Sequence, residues 1–171
     1  MKYLFVLWAL MVSAVGYSQE SLDLTIEQLS EVCDDSLGEV EEYLTSNNWF
    51  FFEAKDEEED RYGNAKFVYG VPNYNSSKPA RYFITYHYSE AQNAEAVELI
   101  FRNKQLYDSL NVQIKNQEYK LIDSKTQNKK IIKVFKRKSQ IIQVTIPPDF
   151  EGLNGYKFLF ARKSSFRRLR G

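Results

Sequence analysis

The chain has 171 residues, and its 23 basic and 23 acidic side chains give a formal net charge of zero. Aromatic residues are abundant, with 12 Tyr and 12 Phe, a composition that favours sheets and excludes a disordered chain. A single Cys excludes an internal disulfide, and a single His beside it argues against a zinc site.

The first residues have the pattern of a secretory signal peptide. An uncharged apolar run fills residues 3–15 after the positive charge of Lys2. The run is shorter than the roughly 20 residues that a membrane span needs. Small residues lie three and one positions before Gln19, the spacing that signal peptidase recognises. The sequence therefore predicts that residues 1–18 are removed and that an exported domain of residues 19–171 remains, which does not span the membrane.

The charges are separated along the chain. Residues 19–60 carry 15 acidic side chains and one basic one, whereas residues 115–171 carry 15 basic and four acidic ones. Two interpretations are open at this point. Either the two ends of the chain pack together and neutralise each other, or the protein has one acidic and one basic face.

Residues 25–45 have the periodicity of a helix. Thr25 with Gln28, and Ser36 with Glu39, each match the capping box that begins a helix. The second box predicts that the segment divides into two short helices with a kink. Apolar residues recur at spacings of three and four, namely at Ile26, Leu29, Val32, Cys33, Leu37, Val40 and Leu44.

Strands are predicted next, separated by turn-forming residues. The third alternates cleanly, because three tyrosines and Ile84 share one face while Phe83, Thr85 and His87 share the other. The four predicted strands are residues 49–55, 65–70, 81–88 and 96–101.

The same order then begins again. Asn103 can cap a helix whose apolar stripe is formed by Leu106, Leu110 and Ile114. Further strands are predicted at residues 118–123, 130–136, 140–146 and 156–161, followed by a basic tail at 162–171.

A helix followed by four strands therefore occurs twice, in residues 25–101 and 103–161. The predicted fold class is α+β, with an antiparallel sheet and two helices on one of its faces. In this arrangement the apolar stripes of both helices, including Leu29, Leu44 and Leu110, contact a common sheet.

Two short segments carry a resemblance to known proteins. The helix end Tyr43-Leu44-Thr45, followed by Asn47-Asn48-Trp49-Phe50 and an acidic turn, resembles small uncharacterised exported proteins of Bacteroidota, as does the cleavage region at Tyr17-Ser18. The doubled order resembles the architecture of β-lactamase-inhibitor-protein-like tandem repeats. The resemblance implies a fold and a compartment, and it carries over no functional residue.

Catalytic and cofactor motifs are absent from the sequence. His87 is predicted to be a strand residue packed beside Phe83 and Thr85, and Cys33 is predicted to be buried on its helical stripe. The acidic run of residues 56–60 lacks the spacing of a calcium loop and is predicted to be a solvated turn. We therefore expect no cofactor and no metal.

Basic and apolar residues are interleaved in residues 129–138. The candidate partner-binding residues are Lys130, Lys136, Arg137 and Lys138. Strand alternation puts Lys130 and Lys136 on one face, with Lys133 on the other. The predicted partner is an anionic protein or an envelope surface, since export argues against nucleic acid. The alternative is the solvated face of an amphipathic hairpin.

The predicted function is that of an exported, non-enzymatic binding or accessory protein of the cell envelope. One alternative is an inhibitor or immunity-type protein that acts on an envelope enzyme. Another is an enzyme whose carboxylate site has no sequence motif.

Overall fold

The fold consists of helices and strands that follow the predicted order twice. A computed structural model describes residues 22–59, 61–75, 80–90, 94–148 and 155–169. The predicted signal peptide lies outside these residues. In chain order, the elements are α1 (Ile26–Val32), α2 (Leu37–Ser46), β1 (Trp49–Lys55), β2 (Gly63–Tyr69), β3 (Tyr82–Ser89), β4 (Ala94–Phe101), α3 (Lys104–Asn116), β5 (Lys120–Gln127), β6 (Lys130–Arg137), β7 (Gln140–Ile146), β8 (Tyr156–Arg162) and α4 (Lys163–Leu169).

All eight strands form one antiparallel sheet in the order β1-β2-β3-β4-β8-β7-β6-β5. The two four-stranded halves meet where β4 pairs with β8, so the predicted α+β class with a doubled helix-plus-four-strand order is confirmed. The first strand of each half, β1 or β5, forms an edge of the sheet. Seven antiparallel pairings separate these two edges, so β1 and β5 run in opposite directions.

The N-terminal helical segment divides into two helices, as predicted. Gln28 N donates to Thr25 Oγ1 over 3.2 Å, and Thr25 N donates to Gln28 Oε1 over 2.9 Å, which completes the first capping box. Ser36 and Glu39 form the second box. α1 ends at Val32, and α2 begins immediately after Ser36. The second cap therefore sets the position of the break.

One face of the sheet is covered by α1, α2 and α3. The apolar residues of these helices and of the inward-facing strand positions form a single buried cluster. Leu37 of the predicted N-terminal stripe is 38% exposed, but burial is confirmed for six residues of the two stripes that are each at most 7% exposed. These residues are Leu29, Val40, Leu44, Leu106, Leu110 and Ile114.

The prediction of a basic tail at residues 162–171 is wrong for most of that segment. Residues Lys163–Leu169 form the helix α4, which packs on the opposite face of the sheet from the other helices. Phe166 is buried there against Ala96, Ile141 and Ala161. The basic composition of the segment conceals an apolar stripe, because Phe166 and Leu169 lie three positions apart on one side of the helix.

The predicted fifth strand also differs from the observed one. The sequence predicts a strand at residues 118–123, whereas β5 extends over Lys120–Gln127. Asn128 and Lys129, both with positive φ, make the turn into β6. Two consecutive residues in this conformation are typical of a tight two-residue hairpin turn, which allows the strand to continue up to it.

Candidate functional site

Of the described helices, α4 alone lies on its face of the sheet, and over the first four strands this face contains an open depression of about 710 Å³. This volume lies in the range of roughly 300–1,000 Å³ that is usual for small-molecule sites. Side chains from β1 to β4 and from the loop after β2 line it. We call it the open-face depression.

Three half-buried aromatic side chains form one wall of the depression. Phe52, Tyr74 and Phe83 contact one another edge to face, with ring centroids 5.0 Å, 5.6 Å and 6.2 Å apart. A β-bulge between Phe51 and Glu53 makes this wall possible. The bulge inserts Phe52 as an extra residue, so both Phe52 and Glu53 line the depression. In a regular strand, only one of two consecutive residues would point to this face.

The floor of the depression carries charges that are already paired. Lys66 Nζ lies 2.8 Å from Glu53 Oε2, and Lys157 Nζ lies 3.0 Å from Glu98 Oε2. The hydrogen bond from Lys66 lowers the pKa of Glu53, so this carboxylate stays ionised at neutral pH. The two ion pairs leave the floor with no net charge.

Two further polar side chains lie beside the ion pairs. Asn64 on β2 is directly opposite His87 on β3. Burial lowers the pKa of His87 below its usual 6.5, so the imidazole is neutral at pH 7. Asn64 Oδ1 is buried, and among the described residues it has no hydrogen-bond partner. A buried acceptor without a donor is costly, about 1–3 kcal/mol.

The two carboxylates of the depression come from strands that are not neighbours in the sheet. Glu53 on β1 and Glu98 on β4 lie in the same row across the sheet, three strand-to-strand spacings apart. Their Cα atoms are therefore about 14 Å apart. Each carboxylate bonds a different lysine. In the described part of the chain, His87 forms no hydrogen bond to a hydroxyl or thiol, and no group of three metal-ligating residues is found.

Cys33 is buried, as its place on the helical stripe predicted. Its Sγ lies 3.4 Å from the carbonyl oxygen of Phe160, to which it can donate a hydrogen bond. Burial raises the pKa of the Cys33 thiol to about 12. The thiol therefore stays protonated and is not a nucleophile at neutral pH.

The four candidate partner-binding residues fall into two groups. Lys136, Arg137 and Lys138 lie together with Lys120 around a shallow basic surface. Lys130 lies at the other end of β6, about 20 Å from Lys136 along the strand. Lys130 and Lys136 share the sheet face that carries α4, as alternation predicted.

Arg137 is held by internal contacts. Its guanidinium carbon lies 5.0 Å from the centre of the Tyr119 ring, and Nη1 donates to the carbonyl oxygen of Gln117 over 3.2 Å. Arg137 is therefore better suited to fixing the end of the hairpin than to binding a partner.

The pairing of strands also shows how the charges are distributed. Residues 37–59, which include α2 and β1, contain eight acidic and one basic side chain, a net charge of −7. Residues 120–138, which include β5 and β6, contain eight basic and one acidic side chain, a net charge of +7. We call these the acidic end and the basic end. They occupy opposite edges of the sheet, about 34 Å apart.

Contacts between the acidic and basic thirds of the chain are made near the middle of the sheet. Arg162 Nε bonds Asp34 Oδ1 over 2.7 Å. Since the strand order nevertheless puts the acidic and basic ends at opposite edges of the sheet, it favours separate acidic and basic surfaces over mutual neutralisation. The acidic turn is also more than a solvated loop, because Glu57 accepts hydrogen bonds from the Ser89 hydroxyl and from Glu90 N.

Most of the open-face depression was missed by sequence reasoning. The face shared by Phe83, Thr85 and His87 was visible in the alternation of β3. Asn64 and Glu98 join that face only through the pairing register of β2 and β4. Phe52 joins it only through the bulge.

No protein family, curated protein or solved structure matches this chain. None of the described helices has the length and apolar character that a membrane crossing requires.

Proposed function

We propose that the protein is an exported, non-enzymatic binding protein of the cell envelope, and that its ligand occupies the open-face depression. The observation that carries this proposal is the half-buried aromatic wall of Phe52, Tyr74 and Phe83 beside a floor of polar side chains in an open depression. A concave surface with a few convergent polar groups is the usual form of a small-molecule site.

The chemistry of the lining supports a neutral saccharide as the ligand. Paired charges and a neutral His87 leave no net charge to attract an ion. The rings of Phe52 and Phe83 offer a surface for the C–H face of a sugar. The two carboxylates accept hydrogen bonds, while the lysines donate them, which suits a ring of hydroxyl groups.

Isothermal titration with three neutral sugars, chitotriose, maltotriose and xylotriose, tests this function, with triglutamate as a charged probe. We expect one of the sugars to bind and its affinity to fall about tenfold, or about 1.4 kcal/mol, in Phe83→Ala. Val112→Ala is the matched control, since Val112 is 54% exposed on α3 and far from the depression. Binding of triglutamate alone, or equal sugar binding by both variants, would contradict the proposal.

Export is proposed from the N-terminal sequence alone. The expected product in an export-competent host begins at Gln19. Intact-mass analysis of the secreted protein measures this directly, and a mass that still includes residues 1–18 would rule the cleavage out.

A further inference from the structure

We propose that copies of this chain associate head to tail, with the β5 edge of one copy adding to the β1 edge of the next. The anionic partner of the basic end is then the acidic end of a second copy. This proposal concerns the edges of the sheet and does not depend on the open-face depression.

Charge complementarity is the first argument. The two ends carry net charges of −7 and +7. Within the described residues, none of the seven lysines of the basic end forms an ion pair. These are Lys120, Lys125, Lys129, Lys130, Lys133, Lys136 and Lys138. Opposite potentials of this size steer association and fix its orientation.

The second argument is the geometry of the backbone. Among the residues that the structure describes, β5 pairs with β6 alone, and all eight residues of β5 are exposed. In the same residues, β1 pairs with β2 alone. Each strand therefore has one edge whose N–H and C=O groups are free to pair with another strand. β1 and β5 run in opposite directions. A second copy in the same orientation as the first can therefore pair its β1 strand antiparallel with β5 of the first copy.

The third argument is the placement of exposed apolar side chains. Phe51 on β1 is 53% exposed, and Leu121 on β5 is 54% exposed. Phe51 is opposite the buried Phe67, and Leu121 is opposite Phe135, which packs against the main core. Both therefore project from the face that carries α1, α2 and α3. In a head-to-tail pair they would lie on the same face of the continuous sheet, at the junction between the two copies.

The same features disfavour other pairings. Two β5 edges would bring two basic ends together, and two β1 edges would bring two acidic ends together. Lysines and bulges are also devices that prevent indiscriminate pairing of edge strands. The competing explanation is that the lysines and bulges of β1 and β5 serve only to prevent pairing between copies, and that the protein is a monomer.

Sedimentation velocity over a range of concentrations decides between these explanations. Wild type should associate in about 0.01 M salt, where the Debye length is about 30 Å, and dissociate in about 1 M salt, where it is about 3 Å. A protein that is monomeric at every concentration in low salt overturns the proposal, and so does association that is indifferent to salt.

A charge exchange tests which surfaces meet. The double variants Lys120→Glu/Lys125→Glu and Asp56→Lys/Glu59→Lys alter exposed side chains, so both should fold as judged by circular dichroism. Each alone should lose self-association by about tenfold or more, and an equimolar mixture should regain it as a heterodimer. A mixture that stays monomeric overturns the proposed pairing of ends.

Leu121→Gln distinguishes edge pairing from diffuse charge attraction, because it leaves every charge in place. It should weaken association several-fold, and wild-type association by this variant would overturn the edge contact. Phe83→Ala should associate like wild type. A failure of saccharide binding can therefore be distinguished from a failure of self-association.

Discussion

Lys120 on β5 stands directly opposite Lys136 on β6, on the same face of the sheet. Like charges in this position destabilise a strand pair. We therefore expect Lys136→Glu to raise the free energy of unfolding by about 0.2–1 kcal/mol while it weakens self-association. Denaturant titration and sedimentation measure the two effects.

Lys55→Glu is the matched control for this substitution, since it makes the same change in net charge on the exposed β1 edge. It makes the acidic end more negative, and self-association should strengthen. Weakening by both substitutions alike would show that only net charge matters.

Leu110 is fully buried on α3, whereas Val112, two residues away, is 54% exposed. Leu110→Ala should lower the free energy of unfolding by about 2–5 kcal/mol, because it leaves a cavity in the core. Val112→Ala should change it by less than about 0.5 kcal/mol. Equal effects in denaturant titration would contradict the assignment of the buried stripe.

Two glycines should respond to alanine in opposite directions. A Cβ at Gly38 would meet no atom within 4 Å, so Gly38→Ala in helix α2 should stabilise the protein by about 0.5–1 kcal/mol. A Cβ at Gly155 would lie 2.8 Å from the carbonyl oxygen of Phe101. Gly155→Ala should therefore destabilise by about 1–3 kcal/mol. Thermal unfolding of both variants measures the difference, and the account fails if their melting temperatures move together.

His87 should make stability depend on pH. Burial lowers its pKa below 6.5; nearby Glu98 opposes this shift, while Lys157 and Lys66 add to it. The unfolded chain then binds more protons than the folded one between the folded pKa and 6.5, so stability falls as the pH drops through this window. Denaturant midpoints at pH 7.5 and 5.5 should differ less in His87→Gln than in wild type. An unchanged difference would show that His87 is not responsible.

The elements of this fold could be predicted from the sequence because their signals are local. The capping boxes at Thr25 and Ser36 fixed the starts of two helices, and the alternation of β3 assigned both of its faces. The repeated order of elements was enough to predict a doubled sheet. Helix α4 was missed because four basic side chains in residues 162–168 outweighed the apolar signal of Phe166.

The candidate site could not be predicted in the same way, because it depends on contacts between distant residues. Asn64, His87 and Glu98 come from three strands, and nothing in their sequence spacing shows that they share a surface. The register shift at Phe52 is likewise a property of a strand pair. Charge separation was visible in the sequence, but the strand order was needed to place β1 and β5 at opposite edges.

Amide chemical-shift mapping by NMR, during titration with the three neutral trisaccharides, shows directly whether a saccharide occupies the open-face depression. We expect shifts for the amides of Asn64, Thr85 and His87 with at least one sugar, and the loss of these shifts in Phe83→Ala. Saccharide binding at this site is ruled out if none of the sugars shifts these amides at millimolar concentration, or if the shifted amides lie outside the depression.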